Sequence, residues 1–327
     1  MPATPLVLDM KLRNLLTTAV GTAGVIAGVN RILTTRAGDL EAPLVGSEGT
    51  YRWRGFDVAY TEAGDPSDPD LLLVHGISAA SSSREFAEVF EDLSREYHVI
   101  APDLPGFGRS DRPPLLYSGS LYETFLRDAI RDLADEPTVV ASSLSGAYAA
   151  CGASDAAVES LVLIAPTDTT MSETPRSWLR SVFRAPLVGS GLFNLLVSKP
   201  GIKHFHRDHG YADMDNLTDE TLEYQWKSAH QPGARYAPAS FVSGYLDPET
   251  ELEDMLADVD APVTLVWGRD AEITPVSAGR ALAKKTDSRL VVFDDAKLLP
   301  HVEHPAAFVG VVADDIDEAP STAVSTA

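Results

Sequence analysis

The chain has 327 residues, 44% of them hydrophobic, with 48 Asp and Glu against 26 Lys and Arg, a formal net charge of −22. That is ample for one large α/β domain with an inserted subdomain, and no repeat of about 20–50 residues suggests a solenoid or propeller. The acid is spread along the whole chain, so the surface repels phosphate backbones and a nucleic-acid partner is excluded. The same excess suits a protein kept soluble in concentrated salt, where repulsion is screened. A halophilic host is therefore expected; full stability in dilute buffer, in a refolding titration against KCl, would count against it. The single cysteine, Cys151, excludes an intramolecular disulfide and reads as a small apolar helix residue.

Residues Asn14 to Asn30 carry no charge and lie between Lys11 and Arg13 on one side and Arg31 and Arg36 on the other. The run is short for a span of about 20 strongly apolar residues and is rich in Thr, Gly and Ala. Gly24 and Gly28 stand in G-x-x-x-G spacing. A helix lying on the domain or on a membrane surface is expected, within an N-terminal segment 1–45. No clear A-x-A cleavage site follows it.

From Tyr51 the pattern becomes regular. Tyr51–Arg54 and Phe56–Thr61 predict two strands turning at Gly55. Leu71–His75 is an apolar run closed by Gly76, a buried strand and tight turn. Ser82 and Glu85 read as a capping box, with Phe86, Val89, Phe90 and Leu93 as the apolar stripe of the helix behind them. His98–Ala101 is the next strand. Tyr122, Phe125, Leu126, Ala129 and Leu133 mark a second amphipathic helix. Thr138–Ala141 and Leu161–Ile164 are strands flanking a small-residue helix, Ser145–Cys151. Between Pro166 and about Asp260 the alternation stops, and Gly and Pro breaks divide an aromatic-rich stretch into short helices. Strand and helix then resume with Val263–Trp267, Val276–Lys285, Leu290–Phe293 and Pro305–Val312. Such alternation requires a mainly parallel sheet covered on both faces. The expected core is 46–165 with 261–318, the expected helical lid is 166–260, and the Ser, Thr and Ala of 319–327 form a frayed tail.

Four segments carry the chemistry. Leu71-Leu-Leu-Val-His75-Gly76-Ile77-Ser78 ends a strand in an H-G turn. Asp103-Leu-Pro-Gly106-Phe-Gly108-Arg-Ser110 follows the next strand. Ala141-Ser-Ser143-Leu-Ser145-Gly146 sets a serine on a strand-to-helix turn between small neighbours, and Gly268-Arg-Asp270-Ala-Glu272-Ile-Thr-Pro275 closes a late strand. Over Tyr51 to Val312 the chain resembles the α/β-hydrolase superfamily, in particular lidded members such as esterases, haloperoxidases, epoxide hydrolases and C–C bond hydrolases. The resemblance implies an α/β-hydrolase fold with a helical lid. It implies Ser143 as nucleophile and the N–H groups of Ile77 and Leu144 as oxyanion donors. His75 reads as a residue that holds its loop.

The sequence departs from the family at both partners of the serine. In the frame G-x-x-D-x-x-x-P the acid position holds Ala271, flanked by Asp270 and Glu272. In the frame G-H-x-P-H-x-E-x-P, fitted by Lys297 to Pro305, the base position holds Leu298. Leucine accepts no proton, and an unassisted serine hydroxyl is a weak nucleophile. Three replacements are open. His301, one helical turn beyond Leu298, reaches toward Ser143 with Asp270 or Glu272 orienting it. Asp168, just past an earlier strand, supplies the acid. Lys297 acts as the base of a Ser–Lys pair. Lys203-His204-Phe-His206-Arg-Asp208-His209 gathers three histidines, whose bland reading is a lid surface and whose sharp one is a metal site. No cofactor or resident metal is expected. The reading is a cytoplasmic serine hydrolase for a small apolar, ester-like substrate, with membrane contact through the N-terminal helix. The competing reading is an inactive binding protein on the same fold.

Overall fold

The computed structural model describes residues 24–170 and 174–318. The polypeptide forms eight strands: β1 (Ser47–Trp53), β2 (Phe56–Ala63), β3 (Asp70–Val74), β4 (His98–Pro102), β5 (Thr138–Ser142), β6 (Ser160–Ile164), β7 (Val263–Gly268) and β8 (Arg289–Phe293). They build one sheet in the order β1-β2-β4-β3-β5-β6-β7-β8. β1 and β2 pair antiparallel, as do β2 and β4, and every later pairing is parallel. The turn between β1 and β2 places both Arg54 and Gly55 at positive φ, a backbone that suits the twist of a tight hairpin.

Side chains of the central strands divide between two apolar cores. Leu72 and Val74 of β3 and Val139 and Ala141 of β5 enter one; Leu71, Leu73 and Val140 enter the other. This is why these strands are apolar throughout instead of alternating with polar residues. Helices α3 (Gly119–Leu133), α4 (Leu144–Ala153) and α11 (Val276–Thr286) cover the first face. α2 (Ala87–Leu93) and α13 (Pro305–Glu318) cover the second.

The segment joining β6 to β7 holds the short helices α5 (Ser177–Arg184), α6 (Val188–Leu196), α7 (Lys199–Phe205), α8 (Asp219–Ala229) and α9 (Tyr236–Phe241), then α10 (Leu252–Ala257). α10 is part of the core layer, since Leu252, Met255 and Leu256 pack into the first core cluster. Residues 24–37 form helix α1, which runs past Arg31 and seats Leu33 and Ala37 against Ile202, Leu222 and Trp226. The first part of the uncharged run, up to position 23, lies outside the described residues, as does the tail 319–327. Among the described residues no helix is long and apolar enough to cross a membrane.

Candidate active site

Strand β5 ends at Ser142 and helix α4 begins at Leu144, so Ser143 alone makes the turn. Its φ of 55° and ψ of −129° lie where side chains are rarely found, a strain of about 1–3 kcal/mol that the surroundings must hold. Its N–H donates to the Ile164 carbonyl of the neighbouring strand at 2.8 Å, and its carbonyl accepts from the N–H of Gly146 and of Thr167. The two positions where the family carries glycine are filled without conflict. Ala141 is fully buried, and Ser145 donates its hydroxyl to the His75 carbonyl at 2.7 Å. Gly146 has to lack a side chain, because a Cβ there would approach Pro166 Cβ to 2.9 Å.

His75 locks the loop opposite. Its Nδ1–H donates to the Gly76 carbonyl, while Nε2 accepts from the Leu104 N–H at 3.0 Å. Among the described residues the N–H groups of Ile77 and Leu144 have no protein acceptor, and both residues line one cavity with Ser143. Two free amides beside a hydroxyl are what an oxyanion site requires.

That cavity has a volume of about 560 Å³. Its wall is mostly apolar, with Val197, Ile202, Phe205, Phe241 and Leu298 among the lining side chains and, among the described residues, no Lys or Arg. The polar residues that line it include Ser78, Thr167, Thr169, Thr170, His206, His209, Gln225 and Thr274. A second pocket of about 100 Å³ also touches Ser143 and runs past Ser142 and Glu85 toward Tyr211.

The candidate partners of the serine stand elsewhere than the sequence suggests. His301 is fully buried between the rings of Phe86 and Phe308, with Nε2 3.5 Å from Glu85 Oε1, and it does not line the cavity. One turn beyond Leu298, it lies against Phe86 and Phe308 of the second core. Asp168 accepts the N–H of Leu252 at 2.7 Å and so caps α10. Asp270 and Glu272 are exposed, with Ala271 buried between them. Lys297 donates its ammonium to the carbonyls of Arg207 and Asp208. Leu298 itself packs against the first core and lines the cavity.

Two groups that sequence reasoning reads in another role are prominent. Glu85 does not cap its helix: the Ser82 hydroxyl makes no cap bond, and Glu85 turns inward to accept the Gly76 N–H at 2.9 Å. Burial would raise its pKa, but the facing His301 and the Ser142 hydroxyl outweigh burial and hold the carboxyl below its ordinary value. A depressed carboxylate contributes stability above its unfolded pKa of about 4.5, lost as the pH falls through the folded value. Glu85→Gln is therefore expected to destabilise the fold at pH 7, by about 1–3 kcal/mol, and by less at pH 3.5. Urea midpoints at the two pH values check this; an equal loss at both would sink it.

The second group is the pair of histidines in the π-helical turn His206–Gly210. His206 bonds Gln225 Oε1 through Nε2 at 2.9 Å, and its Nδ1 is buried without a partner. Burial pushes this imidazole below its ordinary pKa. His209 lines the cavity with Ser143, and its Nδ1 also has no hydrogen-bond partner. The turn is fastened to the loop that carries Leu298. Leu298 N–H points at the His209 carbonyl at 3.4 Å, and Glu303 accepts the N–H groups of Ala212 and Asp213. The only sequence signal is the H-F-H-R-D-H cluster, which reads as lid surface or metal ligands. Among the described residues no three His, Cys, Asp or Glu side chains form a metal-binding group.

A parallel sheet entered by an antiparallel hairpin, with a strained serine between β5 and α4, defines an α/β hydrolase. The match to the alpha/beta hydrolase family runs over residues 71–311, and the chain belongs to that family. An uncharacterized protein of Mycobacterium tuberculosis is 28% identical over 277 residues, covering 79% of this chain and 77% of its own. A 2-hydroxy-6-oxononadienedioate/2-hydroxy-6-oxononatrienedioate hydrolase of Cupriavidus pinatubonensis is 24% identical, covering 88% of this chain and 95% of its own. Among solved structures, a bacterial membrane phospholipase A superposes with a TM-score of 0.64 at 24% identity, over 95% of this chain and 97% of its own. A serine hydrolase of Cycloclasticus zankles superposes with a TM-score of 0.67 at 17% identity, over 83% of this chain and 98% of its own. These superpositions speak for the fold alone.

Proposed function

We propose that the protein is a serine hydrolase that cleaves neutral, apolar carboxylic esters, with the β6–β7 insertion as its lid and a base drawn from that lid. The carrying observation is Ser143, held at a strained φ, opening beside two unengaged amides onto an apolar cavity. Ser143 Oγ attacks the ester carbonyl, and the Ile77 and Leu144 N–H groups bind the oxygen as it gains negative charge. His209 takes the serine proton and returns it to the departing alkoxide; water then cleaves the acyl-enzyme by the same route.

His209 is favoured over the other imidazoles for three reasons. It shares the cavity with Ser143. Its backbone is fastened to Leu298, at the seat where the family carries its base. His206 is already engaged by Gln225, and His301 faces Glu85 in the core. The substrate class follows from the lining. The relative from Cupriavidus acts on dienedioates and trienedioates, which are anions. Among its described residues the cavity has no Lys or Arg to offer such a substrate a counter-charge, whereas its apolar wall accommodates an uncharged acyl chain.

The charge of −22 is assigned to work in concentrated salt, and the assays belong in molar KCl. Treatment with a fluorophosphonate probe is expected to label the wild type at Ser143. His209→Gln is expected to slow labelling about 10²–10⁴-fold, the usual contribution of a general base. An unlabelled but folded wild type would favour the other reading, a ligand-binding protein, for which Ala271 and Leu298 already speak.

A further inference from the structure

The acid that dominates this chain is missing from two stretches that fold together. Residues 24–37 and 174–207 carry eight basic side chains and no Asp or Glu, leaving 18 basic against 48 acidic residues, a net −30, for the rest. Arg31 and Arg36 stand on α1; Arg176 precedes α5, which carries Arg180 and Arg184; Lys199 and Lys203 stand on α7, and Arg207 follows it. Arg184 is turned inward onto the carbonyls of Pro114 and Leu115, and Lys199 is paired with Glu223. Arg31, Lys203 and Arg207 are exposed and, among the described residues, in no ion pair; Arg31 lines a hollow with Phe193 and Asn194, and Lys203 and Arg207 line another with Asp219.

The same elements expose apolar side chains in register. On α1, Val25, Val29 and Ile32 are 67%, 48% and 66% exposed; on α6, Val188, Leu192 and Leu195 are 57%, 43% and 72% exposed. Both sets follow the i, i+4, i+7 spacing of one helix face. The helices meet along a seam where Asn194 Nδ2 donates to Asn30 Oδ1 at 2.6 Å and a Cβ on Gly191 would meet Ile26 Cγ2 at 3.7 Å. Paired in this way they run parallel, and at 3.6 residues per turn both stripes fall on the same outer side of the seam. The opposite side of α6 sends Phe193 and Val197 into a buried cluster.

We propose that this apolar face of α1 and α6, carried by two segments with a basic excess, docks on the surface of an anionic lipid bilayer. Apolar side chains enter the acyl boundary, the basic excess of the two segments favours anionic headgroups, and the strongly acidic remainder is held away from the membrane. The asymmetry of charge selects lipid over a second copy of this chain. A second copy would bring the same basic excess to this one, and the like charges oppose that pairing. The surface reaches the cavity mouth, because Leu196 and Phe205 are both exposed and line the cavity. Docking would therefore open the cavity toward lipid-dissolved esters, a consequence that rests on the proposed function; the docking itself does not.

The test is flotation of the full chain with phosphatidylcholine vesicles, with and without one third phosphatidylglycerol, at 0.15 M salt, after circular dichroism has confirmed that the wild type keeps there the fold it has in molar KCl. The comparison is the double variant Ile32→Glu/Leu195→Glu. Wild type is expected to float with the anionic vesicles and at least about 10-fold less with the neutral ones. The variant is expected to lose flotation by a similar factor while keeping its circular dichroism and its Ser143 labelling. Wild type that stays at the bottom of the gradient, or a variant that floats undiminished, overturns the proposal. So does a wild-type dimer in sedimentation that the variant converts to monomer, which would make the face an interface between copies. Failure of Ser143 labelling in both proteins would overturn only the hydrolase reading.

Discussion

Ser143→Ala is expected to abolish fluorophosphonate labelling and to lower ester hydrolysis by at least about 10³-fold, with little change in stability. The loss is large because the Oγ is the atom that forms the covalent bond. The other elements of the site, the Ile77 and Leu144 amides and the cavity wall, survive the change. Alanine at this turn keeps the Cβ and hence the strain of a φ of 55°. Ser143→Gly removes both, and it is expected to match alanine in inactivity while raising stability above the alanine variant by about 1 kcal/mol. Active-site titration together with urea denaturation of the three proteins checks both parts. Full labelling of Ser143→Ala would show that another residue carries the nucleophile. Equal stability of the glycine and alanine variants would show that the turn is unstrained.

Asp103→Ala is expected to cost about 3–5 kcal/mol of folding stability, more than Glu85→Gln or either change at Ser143. Asp103 has no exposure and joins three segments. Its Oδ1 accepts the Ser83 N–H at 2.7 Å and the Ser83 hydroxyl at 2.9 Å, and its Oδ2 accepts the Arg109 N–H at 2.9 Å. The Arg109 side chain, 9% exposed, lies 3.5 Å from Oδ2. Alanine leaves these donors in a region that water does not reach, and the guanidinium loses a buried counter-charge. The loop is wound so tightly that a Cβ on Gly108 would lie 2.0 Å from Asp103 Cγ, so no other residue moves in to replace the carboxylate. A urea midpoint that moves by less than the equivalent of about 1 kcal/mol would show that Arg109 and Ser83 find other partners.

Much of the fold is readable from the chain alone. The strands and core helices follow from the period of the apolar residues, and the H-G turn, the D-L-P-G-F-G-R-S loop and the A-x-S-x-S-G elbow follow from short-range backbone needs. Gly55 is a local requirement of the same kind, for a positive φ. The absence of an acid at Ala271 and of a base at Leu298 is equally plain from the gapless frames.

What only the tertiary structure decided was which side chain faces which. Glu85 sits three residues after Ser82, a spacing that suits a capping box, yet it turns to Gly76 and His301, because β3 and α12 (Pro300–Glu303) bring a donor and an imidazole to that side of the helix. One helical turn from Leu298 suggests a place for His301 near Ser143; the rings of Phe86 and Phe308 hold it in the core instead. His209 belongs to a cluster with no evident role until the π-helical turn and the loop at Lys297 meet across 90 positions of the chain. Periodicity and turn chemistry are encoded by neighbours a few residues apart, so one sequence suffices to read them. The direction of a buried carboxylate or a lid imidazole is fixed by segments far apart in the chain, and only their packing together decides what it faces.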